Sequence, residues 1–142
     1  MQSEARVSSR QKAEVKKRAK YCCEYCCSQE EYSPDAYSVE HIVPLVKGGT
    51  NLSDNLANAC QGCNNRKFVH TEAVDPLTGE LVPLYHPRQH DWAEHFAWNG
   101  DYTRLLPLTP TGRATVERLD LNRAGVVNLR QLLHEKGLHP LA

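Results

Sequence analysis

The sequence predicts an α+β fold in which a small cysteine-bracketed unit lies between an N-terminal helix and a C-terminal hairpin with two helices. Three observations lead to this expectation. Two Cys-x-x-Cys pairs, Cys23/Cys26 and Cys60/Cys63, bracket the unit. Between them Tyr37-Ser38-Val39-Glu40-His41 alternates as a strand does. Beyond residue 70 the chain turns to punctuating Pro, Gly and Asn residues and then to amphipathic stretches. The divisions expected are 1–20 (basic helix), 21–70 (the bracketed core) and 71–142 (an extension packed on it).

Taken in order, Ser8-Ser9-Arg10-Gln11 has the form of a capping box and opens a polar, basic helix to about Lys20. Its apolar stripe is thin, Val15 and Ala19, so a surface position is expected. The strand at 37–41 extends through Ile42 to Val46 and ends at the turn signal Lys47-Gly48-Gly49-Thr50. A short helix should begin near Cys63 and carry Asn64, Arg66 and Lys67. Asp75-Pro76-Leu77-Thr78-Gly79 is a turn, and Pro83 and Pro87 keep the next segment extended. Residues 93–98 and 102–106 flank Asn99-Gly100, a hairpin signal. Thr109-Pro110 reads as an N-cap followed by proline at the first helical position, in a helix burying Val116 and Leu119. The last helix, from about Val126, places Leu129, Leu132 and Leu133 on one face and stops at Gly137.

A chain of 142 residues with 40% hydrophobic and 24% charged residues suits one globular domain rather than a disordered one. No stretch reaches the apolar length of a membrane span, and the basic N-terminus lacks a signal peptide's apolar segment, so a cytoplasmic location is expected. Net charge is zero. Residues 1–67 carry ten Lys/Arg against eight Asp/Glu and residues 68–142 seven against nine, which leaves room for a local basic surface. Such a surface is all that contact with a polyanion requires.

The two knuckles offer four thiolates at the spacing a tetrahedral zinc ion uses. Cys22 and Cys27 compete for the first knuckle. Cys23 and Cys26 are assigned to it because no other pair in the cluster is separated by two residues. Disulfides are disfavoured without a secretory signal, and a redox Cys-x-x-Cys would leave the second pair unexplained.

Cys23-Glu24-Tyr25-Cys26, Val39-Glu40-His41-Ile42-Val43-Pro44, Gly48-Gly49-Thr50-Asn51-Leu52, Asn55-Leu56 and Cys60-Gln61-Gly62-Cys63-Asn64-Asn65-Arg66-Lys67, in this order, resemble the HNH endonuclease family over about residues 21–68. The resemblance implies a ββα-metal finger that grips a divalent ion and cuts DNA to leave 5′-phosphate and 3′-hydroxyl ends. It implies catalytic roles for His41, Glu40, Asn55 and Asn64: His41 as general base, Glu40 and Asn64 as ligands of a catalytic Mg²⁺ or Mn²⁺, and Asn55 as a brace for the intervening loop. The chemistry agrees, since phosphodiester hydrolysis needs a base for water and a cation for the developing charge, and imidazole is a base that works near neutral pH. One carboxylate and one amide oxygen suit those hard cations.

DNA contacts are expected from Arg66 and Lys67 on the short helix and from Lys16, Lys17 and Arg18 on the first. Glu40 stands where the family more often has aspartate, and Phe68 where some relatives carry a further histidine. Adjacent strand residues point to opposite faces, so Glu40 and His41 can serve one site only if the backbone is irregular there, as in the family. The C-terminal half resembles the extension of small free-standing HNH proteins. There His86, Arg88 and His95 fit packing around Trp92, Phe96 and Trp98 better than substrate contact. The competing expectation to a nuclease is a zinc module that binds nucleic acid without cutting it.

Overall fold

The structure, a computed structural model, describes residues 6–141. Helix α1 (Ser9–Arg18) opens on the capping box. The Gln11 N–H donates to Ser8 Oγ at 3.0 Å, and the Ser8 N–H returns a bond to Gln11 Oε1 at 3.0 Å. Both bonds occupy groups that the first helical turn leaves unpaired. Only Val15 of this helix is buried, and the helix lies against the strands that follow.

Strands β1 (Ser38–His41) and β2 (Leu56–Ala59) pair antiparallel, with Ser38 opposite Ala59 and His41 opposite Leu56. β2 is buried at every position. The expected continuation of β1 to Val46 does not occur. The strand ends at His41, and Leu45–Lys47 forms a 3₁₀ turn that exits through Gly48 at φ 87°. Pro44, which has no N–H to give a ladder, and the side chain of Asn55 account for the break. Asn55 Nδ2 donates to the Val43 and Thr50 carbonyls at 2.9 and 2.8 Å, and Asn55 Oδ1 accepts from the Val43 N–H at 2.9 Å. Gly49 is required there, because a Cβ would lie 1.8 Å from the Val43 carbonyl oxygen. Helix α2 (Gln61–Lys67) follows β2 directly, with Cys60 Sγ accepting from the Cys63 N–H as its cap.

The extension begins with a hairpin, β3 (Glu72–Val74) and β4 (Leu81–Pro83), whose pairing the sequence did not announce. A short helix α3 (Trp92–His95) replaces the start of the strand expected from Ala93. β5 (Phe96–Trp98) then pairs with β6 (Leu105–Pro107) around a turn in which Asn99 Oδ1 accepts the N–H groups of Thr103 and Arg104. Helix α4 (Pro110–Leu119) starts as the Thr109-Pro110 pair requires, with Thr109 Oγ1 accepting from the Gly112 N–H at 3.0 Å.

Helix α5 (Ala124–Glu135) buries a face shifted from the one expected, keeping Leu133 inside and Leu129 half-buried but turning Leu132 out. Val126, Arg130 and Leu133 point inward, and Leu132 is 52% exposed. The reason is Arg130, 1% exposed, whose guanidinium donates to the carbonyls of Cys26, Thr103 and Leu121 and to Asn122 Oδ1. An arginine with that many acceptors stays buried in place of a leucine. One apolar cluster joins Tyr25 and Ala57 of the first half to Phe96, Leu105, Leu119 and Leu121 of the second. Among the described residues no helix is long and apolar enough to cross a membrane.

The hairpin is tied to α4 by Asp75, whose two oxygens take Arg113 Nε and Nη2 at 2.9 Å each. Arg113 first, with the Leu77 N–H and the Thr78 hydroxyl, holds the Asp75 carboxyl well below the usual carboxylate range. A depressed folded value means the bond stabilises fully above the unfolded carboxyl value of about 3.9 and fades as pH falls below it. Asp75→Asn should therefore lower the melting temperature at pH 7, and the gap to the parent should narrow as melts are taken from pH 5 toward pH 2.5. A gap unchanged across that range would reject the ion pair as its cause.

Candidate metal centre and nucleic-acid site

The first knuckle is made by a turn in which the Cys23 N–H reaches the Ser28 carbonyl and the Cys27 N–H reaches the Cys23 carbonyl. The second is the start of α2. Together they bring the sulfurs of Cys23, Cys26, Cys60 and Cys63 within 4.8 Å of one another in a buried cluster. A zinc ion with Zn–S bonds of about 2.3 Å would set its ligand sulfurs about 3.8 Å apart on the edges of a tetrahedron. Cys26 Sγ and Cys60 Sγ are 3.7 Å apart. The cluster fits structural zinc. Cys22 and Cys27 lie outside it, and burial pushes the Cys27 thiol up to about 12, so it stays protonated.

Sulfur donors are crowded enough to alter one another. Hydrogen bonding from Cys23 leads the effects that pull the Cys60 thiol far below its ordinary value. Arg123, the N-cap residue of α5, answers this charge. Its Nη2 lies 3.4 Å from Cys60 Sγ and its Nη1 lies 3.5 Å from Cys63 Sγ. Gly62 leaves the space, since a Cβ there would come within 2.6 Å of the guanidinium. Nothing local in the sequence links Arg123 to the knuckles.

At the end of β1 the regular register persists, so no bulge turns Glu40 toward His41's face. Glu40 is buried and accepts from the Tyr25 hydroxyl at 2.6 Å, with Lys67 Nζ 3.6 Å from its other oxygen. Burial pushes the Glu40 carboxyl up, and Lys67 opposes that shift. Lys67 itself is 1% exposed and donates to the Ile42 carbonyl at 2.7 Å. It is therefore an internal cation beneath the site, and the expected phosphate contact is corrected: the last turn of α2 points it back under β1.

His41, half-buried, faces the other way. Its Nε2 is 2.7 Å from Asn51 Oδ1. An amide oxygen only accepts, so in the neutral ring Nε2 carries the proton and Nδ1 holds the lone pair. In the sequence Asn51 stands only within the Gly48–Leu52 loop motif. Its place beside the ring follows from the way Asn55 folds that loop.

Although the two side chains leave β1 on opposite faces, the depression at the strand's end reaches both without a bulge: Glu40, His41 and Asn64 line one open hollow of about 360 Å³, together with Leu45, Val46 and Phe68. His41 and Asn51 also line a wider groove of about 1260 Å³ between α1 and the loop, with Arg6, Gln11 and Lys12 along its edge. Arg66 is exposed on α2 and bonds back to the Gly62 carbonyl.

The basic face of α1 is divided. Lys16 Nζ is taken by Glu30, the Tyr37 carbonyl and Asn58 Oδ1, and Arg18 by the Ser53 and Leu56 carbonyls. These two brace the β1–β2 unit through their hydrogen bonds, whereas Lys17, exposed like Arg18, makes no such side-chain bond among the described residues. In the extension, Arg88 pairs with Glu24, His86 Nδ1 accepts from the Arg88 and Gln89 N–H groups, and His95 is buried against Thr109.

Residues 23–68 match the family model for HNH endonuclease. The match spans both knuckles, the β1–β2 hairpin and α2, the stretch over which the motifs run. No curated protein and no solved structure matches the chain. An HNH domain points to a nuclease or nucleic-acid-binding function, and the cysteine cluster to zinc.

Structural zinc binds with roughly 10–16 kcal/mol of apparent energy near neutral pH, as much as a small domain's stability. Purified chain should carry one zinc, Cys60→Ser should lose it and melt far lower, and Cys22→Ser and Cys27→Ser should keep it. Elemental analysis finding no zinc in the parent, or its loss from either outer variant, would reject the assignment. Lys67→Ala, which strands a buried carboxylate, should cost about 3–5 kcal/mol in denaturant unfolding. A solvated helix lysine would cost almost nothing.

Proposed function

We propose that the protein is a metal-dependent DNA endonuclease in which His41 removes a proton from the attacking water. The observation that carries this reading is the His41–Asn51 pair: a histidine at the mouth of an open groove, held by its Nε2–H so that the Nδ1 lone pair is available. Asn51 acts as a positioning residue, fixing the tautomer and the ring's direction. The groove edge, with Arg6 and Lys12, supplies positive charge that would hold a phosphate backbone, and Lys17 and Arg66 are further exposed cations of the same half of the chain. The products would be 5′-phosphate and 3′-hydroxyl ends.

Glu40 and Asn64 offer oxygen donors to the same depression, a donor set that suits Mg²⁺ or Mn²⁺. Such an ion, when bound, would neutralise charge building on the phosphate and the leaving oxygen. Glu40 already shares its carboxylate with Tyr25 and Lys67, so the divalent affinity should be weak and set by competition with the lysine. That same occupancy favours a second reading, a zinc-stapled module that binds nucleic acid without cutting it.

Supercoiled plasmid incubated with Mg²⁺, with Mn²⁺ or with chelator separates the two. Nicked or linear product only with the divalent ion supports the endonuclease, and binding without product supports the module. His41→Ala should lower the rate about 10²–10⁴-fold while DNA affinity and zinc content hold. Asn51→Asp should move the acid limb of the rate profile to higher pH, because a carboxylate beside the ring favours imidazolium. An unchanged limb would remove Asn51 from the mechanism.

A further inference from the structure

Phe68 sits in a backbone conformation that its side chain makes costly. It closes α2 with φ 50° and ψ −126°. The His70 N–H donates to the Lys67 carbonyl at 2.9 Å, so Phe68 is the first central residue of a tight turn of the II′ kind. That position is dominated by glycine, because a Cβ crowds the backbone there. Strain of this sort persists where something else requires it and is concentrated at functional sites.

Packing does not require this residue. The ring is 68% exposed, and its aromatic neighbour is the edge of His70 at 6.3 Å. What the ring does instead is form one wall of the depression holding Glu40, His41 and Asn64. Leu45 and Val46, 52% and 82% exposed, line the same depression. Two cations stand near it: Arg118 and Lys47 add to burial in lowering the pKa of neighbouring His70. A planar apolar face beside a polar floor, with cations nearby, matches the two parts of a nucleotide. The phosphate takes the charge and the base takes the face.

We propose that Phe68 is a stacking platform for a nucleobase next to the phosphate that His41 addresses. This inference rests on the nucleic-acid reading of the site. Base–aromatic stacking is tolerant of sequence, since every base has a π face, so the contact would add affinity and hold the strand without imposing a recognition sequence.

The test uses the full, zinc-loaded chain in a His41→Ala background, so that DNA is bound but not cut. Phe68→Gly, Phe68→Leu and Phe68→Trp are compared by melting temperature and by anisotropy titration of a fluorescent duplex and of a single strand. Phe68→Gly is expected to melt at or above the parent, because the turn is relieved, yet to bind about 5- to 150-fold more weakly. Phe68→Leu should lose affinity to a similar extent, and Phe68→Trp should stay within about threefold of the parent. Fluorescence of a 2-aminopurine base near the contacted phosphate should be quenched by the parent and not by Phe68→Gly. If the parent binds DNA and Phe68→Gly or Phe68→Leu binds equally well, the stacking role fails and the nuclease reading stands. If the parent binds no DNA, the nucleic-acid reading fails and the inference fails with it.

Discussion

Four sulfurs gathered in one buried place are the constraint from which the rest of the chain follows. With zinc at the centre, four thiolates leave a net charge of about −2, which the interior has to answer. The answer comes from the far end of the chain. Arg123 donates to Cys60 and Cys63, and Arg130 donates to the Cys26 carbonyl. The extension is therefore part of the centre's electrostatics, and α5 is positioned by the cysteines as much as by its leucines. This explains why a helix with an apolar stripe buries an arginine: the guanidinium has more to gain inside than Leu132 does.

The second constraint is the period of a strand. Because β1 stays regular to His41, Glu40 and His41 part to opposite faces. Inside, Glu40, Tyr25 and Lys67 form a buried polar set, with Tyr25 supplied by the first knuckle and Lys67 by α2. Outside, His41 meets Asn51 on a loop that Asn55 and Gly49 hold closed. The two faces communicate through one short strand, and the knuckles fix its neighbours. Loss of zinc would thus loosen both the buried ion pair and the orientation of the histidine, although neither touches the sulfurs.

Local chemistry was legible in the sequence. The capping box at Ser8 and Gln11, the Thr109-Pro110 start of α4, the Asn99 turn and the choice of Cys23 and Cys26 over their neighbours all depend on residues a few positions apart. The segment that matches the HNH model was legible for the same reason, its motifs being short and ordered. What escaped depends on partners brought together by folding. Lys16, Arg18 and Lys67 read as a solvent-facing basic set, yet Lys16 finds Glu30 and Asn58, Arg18 finds the Ser53 and Leu56 carbonyls, and Lys67 finds Glu40. A charge pattern gives the helix face but not the acceptors waiting beside it. Arg123 is 60 and 63 residues from the two cysteines it meets, and the β3–β4 hairpin has no tight Asn-Gly turn to announce it.

Those inward-turned lysines have a consequence for how a neutral chain can hold a polyanion. With Lys16 and Lys67 committed to internal carboxylates, the positive surface does not run through them. It lies instead along the groove edge at Arg6 and Lys12, at exposed Lys17 and Arg66, and around His70. The Lys67–Glu40 pair is little screened because it is buried, and the groove charges are weak singly because water and salt screen them. Binding through such dispersed charges falls steeply with salt and carries little sequence information. Apolar contacts at the rim, from Phe68 together with Leu45 and Val46, do not weaken with salt in that way. A chain with no net charge to spend on phosphates therefore has a physical reason to keep exposed hydrophobic residues, and one strained phenylalanine, at the edge of its site.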